Sequence, residues 1–315
     1  MQPTKKDRPE TMESTSNFLE KSTTTNKKKA LIVISGGVIS VITILVLIIL
    51  NKQINAEKNY DEGMKFYTKK NFEKAIPLVE KAAEQGFTKA QFVLAMCYYS
   101  GKGVKQDKQK AFKWIQKSAE QGYAETQFLL ALFYSQGEIV KQDYGKAFYW
   151  YKKAAEQGNA EAQYYIGDSY FYGDGVIQDK RQAFCWYKKA AEQGHADSQI
   201  NLALCYDEGE GVEEDRQQAF NWFKKAAEQG SAMAQYNLGI CYTHGNGVKQ
   251  DLEQAFNWFR RAAEQGGPEA QYNVALSFHN AVGVKRDPEQ AYYWCKTAAE
   301  QGHTGAERLL EELKQ

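Results

Sequence analysis

Along most of this chain apolar residues recur with the period of a helix, and the whole arrangement then repeats every 36 residues. Residues 159–194 show one period. Ala162, Ile166, Gly167 and Tyr170 place small or apolar side chains on one face of a first helix, with Asn159 at its N-cap. Gly173 and Gly175 end that helix and shape a loop, in which Val176 reads as an apolar residue tucked into the core. Asp179, with Gln182 three residues on, caps a second helix, and Ala183, Phe184, Trp186, Tyr187, Ala190 and Ala191 form its apolar face. Gly194 closes it. Pro268 and Pro288 fall at first-turn positions, where a missing backbone N–H costs nothing.

The register is fixed by seven copies of Ala-Glu-Gln-Gly, starting at Ala83, Ala119, Ala155, Ala191, Ala227, Ala263 and Ala299. Six full units follow from it: 87–122, 123–158, 159–194, 195–230, 231–266 and 267–302. Residues 60–86 form an abbreviated unit without the glycine loop, since Gly63 to Ala75 is four residues shorter than Gly167 to Ala183. Residues 303–315 supply a final first helix that caps the array. A fixed period of this size predicts an all-α solenoid of helix-turn-helix repeats, in which each unit contacts only its neighbours.

All six tryptophans, Trp114, Trp150, Trp186, Trp222, Trp258 and Trp294, share one repeat position. They read as core knobs locking the second helix, so that Trp→Ala costs about 3–5 kcal/mol. The other reading is a ladder of rings on which a ligand stacks.

The N-terminal region departs from the repeat. Ala30 to Leu50 are 21 consecutive uncharged residues rich in Ile, Val and Leu. Such a helix would span roughly 30 Å, the thickness of a bilayer core, and is too long for the apolar region of a cleaved signal. It reads as a single transmembrane helix preceding the solenoid. Residues 1–29 are polar and rich in Ser, Thr and Lys, the composition of a disordered tail, and 51–59 read as a linker. Lys27, Lys28 and Lys29 abut the apolar segment on one side; Lys52 and Lys58 are diluted by acidic residues on the other. The excess places the N-terminus in the cytoplasm and the repeats outside, for instance beyond a bacterial inner membrane.

A net charge of +1 gives no case for a nucleic-acid partner. The five cysteines are Cys97, Cys185, Cys205, Cys241 and Cys295. Three of them, Cys97, Cys205 and Cys241, share a repeat position, and equivalent positions in stacked helices lie about 8–10 Å apart, beyond the reach of a disulfide. Free, mostly buried thiols are expected.

The repeated pattern A-x-Q-[YF]-x-[LI]-[GA]-x-x-Y-x-x-G-x-G-V-x-x-D-x-x-x-A-F-x-W-[YF]-x-K-A-A-E-Q-G resembles the Sel-one-like repeat, a relative of the tetratricopeptide repeat with a longer inter-helix loop. The shorter unit at 60–86 resembles a plain tetratricopeptide repeat. The resemblance covers about residues 60–315. It implies a right-handed superhelix with first helices lining the concave side, and an adaptor that gathers proteins, in bacteria often at the envelope or toward a host. The cysteine-rich branch of that family pairs cysteines within each repeat; no unit here holds two.

Function is to be sought where residues escape the repeat. Within the first helix the third, seventh, tenth and fourteenth positions vary, and their spacing puts them on one face. In the first two full units this face carries Val93, Met96, Leu129 and Leu132, either a binding patch or packing against the abbreviated unit. In the last three, the seventh position is Asn201, Asn237 and Asn273. A carboxamide donates and accepts, so this row is a candidate for holding a peptide backbone, with Tyr165, Tyr172, Leu204 and Ile240 as apolar anchors beside it. The alternative is that the asparagines are solvated or bonded to neighbouring helices.

No cluster points to catalysis, a cofactor or a metal. His195, His244, His279 and His303 do not pair at metal-ligand spacing, and the Gly-x-Gly loop follows a helix, not the strand a nucleotide loop requires. A non-catalytic, membrane-anchored scaffold binding a protein or extended peptide is expected. A factor binding envelope glycan or host protein is the alternative, and a hydrolase the remote one.

Overall fold

Thirteen residues is the length of every helix from the second to the fourteenth, as the fixed period requires. The computed structural model describes residues 41–313, and among these it holds fifteen α-helices and no strand. The first, α1 (Val41–Thr68), is followed by α2 (Phe72–Glu84). Six pairs come next: α3 (Thr88–Ser100) with α4 (Lys108–Glu120), α5 (Ala124–Gln136) with α6 (Tyr144–Glu156), α7 (Ala160–Tyr172) with α8 (Lys180–Glu192). Then come α9 (Ala196–Glu208) with α10 (Arg216–Glu228), α11 (Ala232–His244) with α12 (Leu252–Glu264), and α13 (Pro268–Asn280) with α14 (Pro288–Glu300). The last, α15 (Thr304–Leu313), lays Ala306 and Leu309 on the end of the array.

Each second helix starts at an aspartate, from Asp107 to Asp287, whose carboxylate accepts the backbone N–H three residues on; for Asp179 that donor is Gln182. Asn159 caps α7 in the same way. First helices end at a left-handed residue, Gly101, Gly137, Gly173, Gly209 and Gly245 in turn, but Ala281 in the last pair, at φ 56°. The second loop glycine answers to a close approach: a Cβ on Gly211 would overlap the Lys180 carbonyl at the start of the preceding second helix. Ile139 holds the matching place in residues 123–158, where Gln109 Nε2 instead reaches its carbonyl at 3.1 Å.

One fully buried aliphatic per first helix marks the core: Leu94, Leu130, Ile166, Leu202, Leu238 and Val274. From the second helix the buried partner is the residue after each tryptophan, Ile115, Tyr151, Tyr187, Phe223, Phe259 and Cys295. The tryptophans themselves are half-buried, so they are not the core knobs expected of them. Four of them carry a cation from the next turn over the ring: Lys117 over Trp114, Lys189 over Trp186, Lys225 over Trp222 and Arg261 over Trp258, at 3.8–4.5 Å from the ring centroid. The loop valines are also half-buried.

Neighbouring units are joined by a glutamine relay. The buried Gln163 donates to the Ala155 carbonyl at the end of the preceding second helix, at 3.1 Å, and accepts from Gln193 at 2.7 Å. The same pair of bonds recurs in all six full units, through Gln91, Gln127, Gln199, Gln235 and Gln271. It gives a helix-end carbonyl a second donor, beside the backbone N–H of the closing glycine three residues on (Gly158 to Ala155, 3.0 Å). The glutamine of Ala-Glu-Gln-Gly is therefore a bonding partner as well as a helix end.

In the abbreviated unit α1 takes the place of a first helix. Ala56 is buried, Gly63 lets α1 approach Leu78 and Val79, and Asn59 donates to Gln85 at 3.1 Å. Residues 51–59, expected as a linker, are helical, since α1 runs unbroken through them. The expected tail at 1–29 and the first part of the expected membrane span, 30–40, lie outside the described residues. Ile44 to Leu50 are exposed apolar side chains on α1. Among the described residues no helix is long and apolar enough to cross a membrane.

The described cysteines are all free thiols; Cys97, Cys205, Cys241 and Cys295 are buried and Cys185 is exposed. Burial pushes the Cys205 thiol up to about 12 and Cys241 to about 11.

Candidate binding face on the first helices

Second helices turn their small side chains inward, with Ala183, Ala190 and Ala191 on α8 all buried, and the first helices keep one face outward. That face bears the varying positions. The three asparagines on it are all half-buried but do not present the same group. Asn201 Nδ2 is turned toward the Asp168 carboxylate of the preceding unit at 3.4 Å, and Asn273 Nδ2 donates to its own helix at Glu269 O, at 2.8 Å. Among the described residues Asn237 alone of the three has no hydrogen-bond partner. The even row expected from the sequence is therefore interrupted, because Asp168 on α7 and a turn of α13 claim two of its donors.

The aromatic and aliphatic candidates divide in the same way. Tyr165 is half-buried and stacks on Tyr151 at 4.9 Å with planes 4° apart, while Tyr172, about two turns further along α7, is 68% exposed. Val93 packs with Tyr60 and Leu94 against the abbreviated unit, and Leu129 and Leu132 are half-buried between successive units. Met96 is half-buried. Leu204 packs on Phe223 and its neighbours. Ile240 lies in an open depression of about 390 Å³ between α11 and α13, shared with Tyr236, His244, Asn273, Leu276 and Asn280. That depression brings two of the predicted residues, Ile240 and Asn273, to one place.

Asp168 was not singled out from the sequence. Its tenth-position counterparts are Met96, Leu132, Leu204, Ile240 and Leu276, all apolar, so the break in that column was the available signal. Tyr187, 1% exposed, lays its ring over Gly167 and donates its hydroxyl to the Asp168 carboxylate at 2.7 Å. Burial holds the Asp168 carboxyl above the usual carboxylate range; bonds from Tyr187 and Tyr164 oppose this, and Asp174 and Asp197 add to it. Burial likewise raises Tyr164, Tyr165 and Tyr187.

A family model described as Sel1 repeat matches residues 56–87, 88–123, 124–159, 160–195, 196–231, 232–267 and 268–303. Seven repeats are thus matched, the abbreviated unit included. A crystal structure of a protective antigen present in uropathogenic Escherichia coli strains superposes with a TM-score of 0.78 at 35% identity, over 82% of this chain and 56% of that one. A Sel1 repeat protein from Oxalobacter formigenes gives a TM-score of 0.67 at 31% identity, over 76% of this chain and 96% of that one. This chain therefore spans little more than half of the E. coli antigen. A search of the curated proteins found no match.

Proposed function

Because this chain belongs to the Sel1 repeat family through seven repeats, we propose that it is a non-catalytic scaffold whose first-helix face holds an extended segment of a protein partner. The observation that carries this reading is the open depression between α11 and α13, where Ile240 and Leu276 offer apolar contact and Asn273 a carbonyl, with the unbonded Asn237 on the same row. Apolar surface with a few polar groups in reach suits side chains and backbone of an extended chain. A photo-crosslinking residue at position 237, compared with one at the exposed Asn221 on α10, tests it in cells. A protein adduct formed only from position 237 is expected; equal adducts from both sites, or none from 237, would sink the reading.

Membrane attachment belongs to the same proposal. It is supported by the uncharged run Ala30–Leu50 and by the exposed apolar side chains of Ile44–Leu50. The described part, Val41–Leu50, covers only about 15 Å of helix, half of a bilayer core, so residues 30–40 have to supply the rest. Extraction of membranes at alkaline pH should leave the full chain in the pellet, and deletion of 30–50 should release it. Placement of the repeats outside the cell, facing envelope glycan or a host protein, is favoured by the likeness to a protective antigen. Protease added to intact cells or spheroplasts should then digest the repeats.

A further inference from the structure

The near-neutral net charge conceals a separation of charge between the two layers of the solenoid. The first helices α5, α7, α9, α11 and α13 contain no Lys or Arg, but carry Glu125, Glu161, Asp168, Asp197, Asp207, Glu208 and Glu269. Their partners α6, α8, α10, α12 and α14 hold thirteen Lys and Arg against seven Glu, so the excess is reversed there. All the acidic residues of the first layer except Asp207 occupy the third, tenth and fourteenth positions, which is the outward face.

The acidic layer has a focus. Asp168 is enclosed by Tyr164, Tyr187 and Asn201, and the charged groups that bear on it, Asp174 and Asp197, are both negative. Tyr165 in turn lies within reach of Glu161, Asp168 and Asp197. Tyr172 follows Asp168 by four residues on the same face, with its ring largely in solvent. Glu161 is already met by His195 Nε2 at 3.3 Å, and the His195 ring packs on Tyr164. Asp168 itself, a partly buried carboxylate with no Lys or Arg beside it and framed by tyrosine rings, is a receptor for a positive side chain: the carboxylate pairs with it and the ring faces attract it.

We propose that the partner segment held on the first-helix face carries a lysine or arginine that seats against Asp168, Tyr165 and Tyr172, with Asp197 beside it. This rests on the scaffold reading and specifies the chemistry of its partner. Ile240, at the near side of the depression, lies two units away. At about 8–10 Å per packed helix that is roughly 16–20 Å, or five to six residues of extended chain, so an apolar side chain is expected at that distance from the cation.

The experiment measures fluorescence anisotropy of the purified full-length protein with three labelled Gly/Ser peptides. Each has a leucine five residues from one test residue, which is arginine, citrulline or glutamate. Citrulline keeps the shape of arginine without its charge. The arginine peptide is expected to bind at least tenfold more tightly than the other two. Asp168→Asn should lose at least tenfold of that and Tyr172→Ala several-fold, while Glu192→Gln on the second-helix layer should leave it unchanged. Asp168→Asn keeps an acceptor for Tyr187, and a thermal melt checks its fold; Tyr172 is exposed, so its removal leaves the core intact. Equal binding of arginine and citrulline peptides overturns the proposal, as does an unaltered affinity in both variants, or no binding by any of the three. If the crosslinker at position 237 still captures a protein, the scaffold reading survives that failure; if it captures none while the arginine peptide binds as expected, the charge assignment stands and the site of capture is wrong.

Discussion

Ala281 shows how a single residue can depart from what its backbone asks. It ends α13 at φ 56°, in the left-handed region where five of the preceding first helices place glycine. A Cβ there costs roughly 1 kcal/mol or more, so Ala281→Gly is expected to raise stability by about 1 kcal/mol in urea denaturation. Asp168 is the second such residue, with its cost in charge. Its folded carboxyl titrates above the unfolded one, so its contribution to stability is present below the unfolded value and is lost as pH rises through the folded value. Tyr164, Tyr187, Asn201, Asp174 and Asp197 are the groups facing it. Asp168→Asn should therefore melt higher than the parent at pH 7, with the gain closing as pH falls below about 4. A purely structural aspartate would give a lower melting temperature at pH 7. A side chain kept at a cost to the fold is where selection for binding is expected to act.

At the scale of helices, much of the structure was legible beforehand. The aspartate caps, the glycine stops, the pairing of helices and the cap at 303–315 all follow from local rules that depend only on neighbours in sequence. The role of the tryptophans did not, because a helical wheel gives which residues share a face and not how deep that face lies against the next unit. Trp186 sits at the edge under Lys189, while Tyr187, one position on, points into the core. Tyr187→Ala should cost about 3–5 kcal/mol and Trp186→Ala clearly less, the reverse of the order expected when tryptophan is taken as the knob. Matched urea titrations of the two variants decide it. The relay through Gln163 was hidden for a related reason: both glutamines recurred in the pattern, but their meeting depends on how one unit stacks on the next. The asparagine row failed as a uniform device because one irregular residue, Asp168, drew Asn201 out of it.

For the whole molecule, the layered charge and the distribution of thiols matter more than totals. Five cysteines in a chain of 315 residues suggest nothing about reactivity until their depth is known. Only Cys185 among them is exposed, and burial raises the thiols of Cys97, Cys205, Cys241 and Cys295. Iodoacetamide at pH 8 should thus label one thiol quickly in the native protein, on the peptide containing Cys185, and five after denaturation. Fast labelling of a second site would mean that a unit opens locally.

The glutamine relay also bears on how such a protein changes its length. Every junction between full units uses the same donor, acceptor and geometry, and in five of the six full units the loop glycine rests on the helix before it. An end built this way does not distinguish which sibling comes next, so a gene duplication or loss of 36 codons leaves each seam as it was. An insertion of any other size within a unit puts the relay out of step. The binding face can therefore be lengthened, shortened or reordered in whole blocks, and the irregular residues that each block carries, an aspartate here and an asparagine there, travel with it as interchangeable letters.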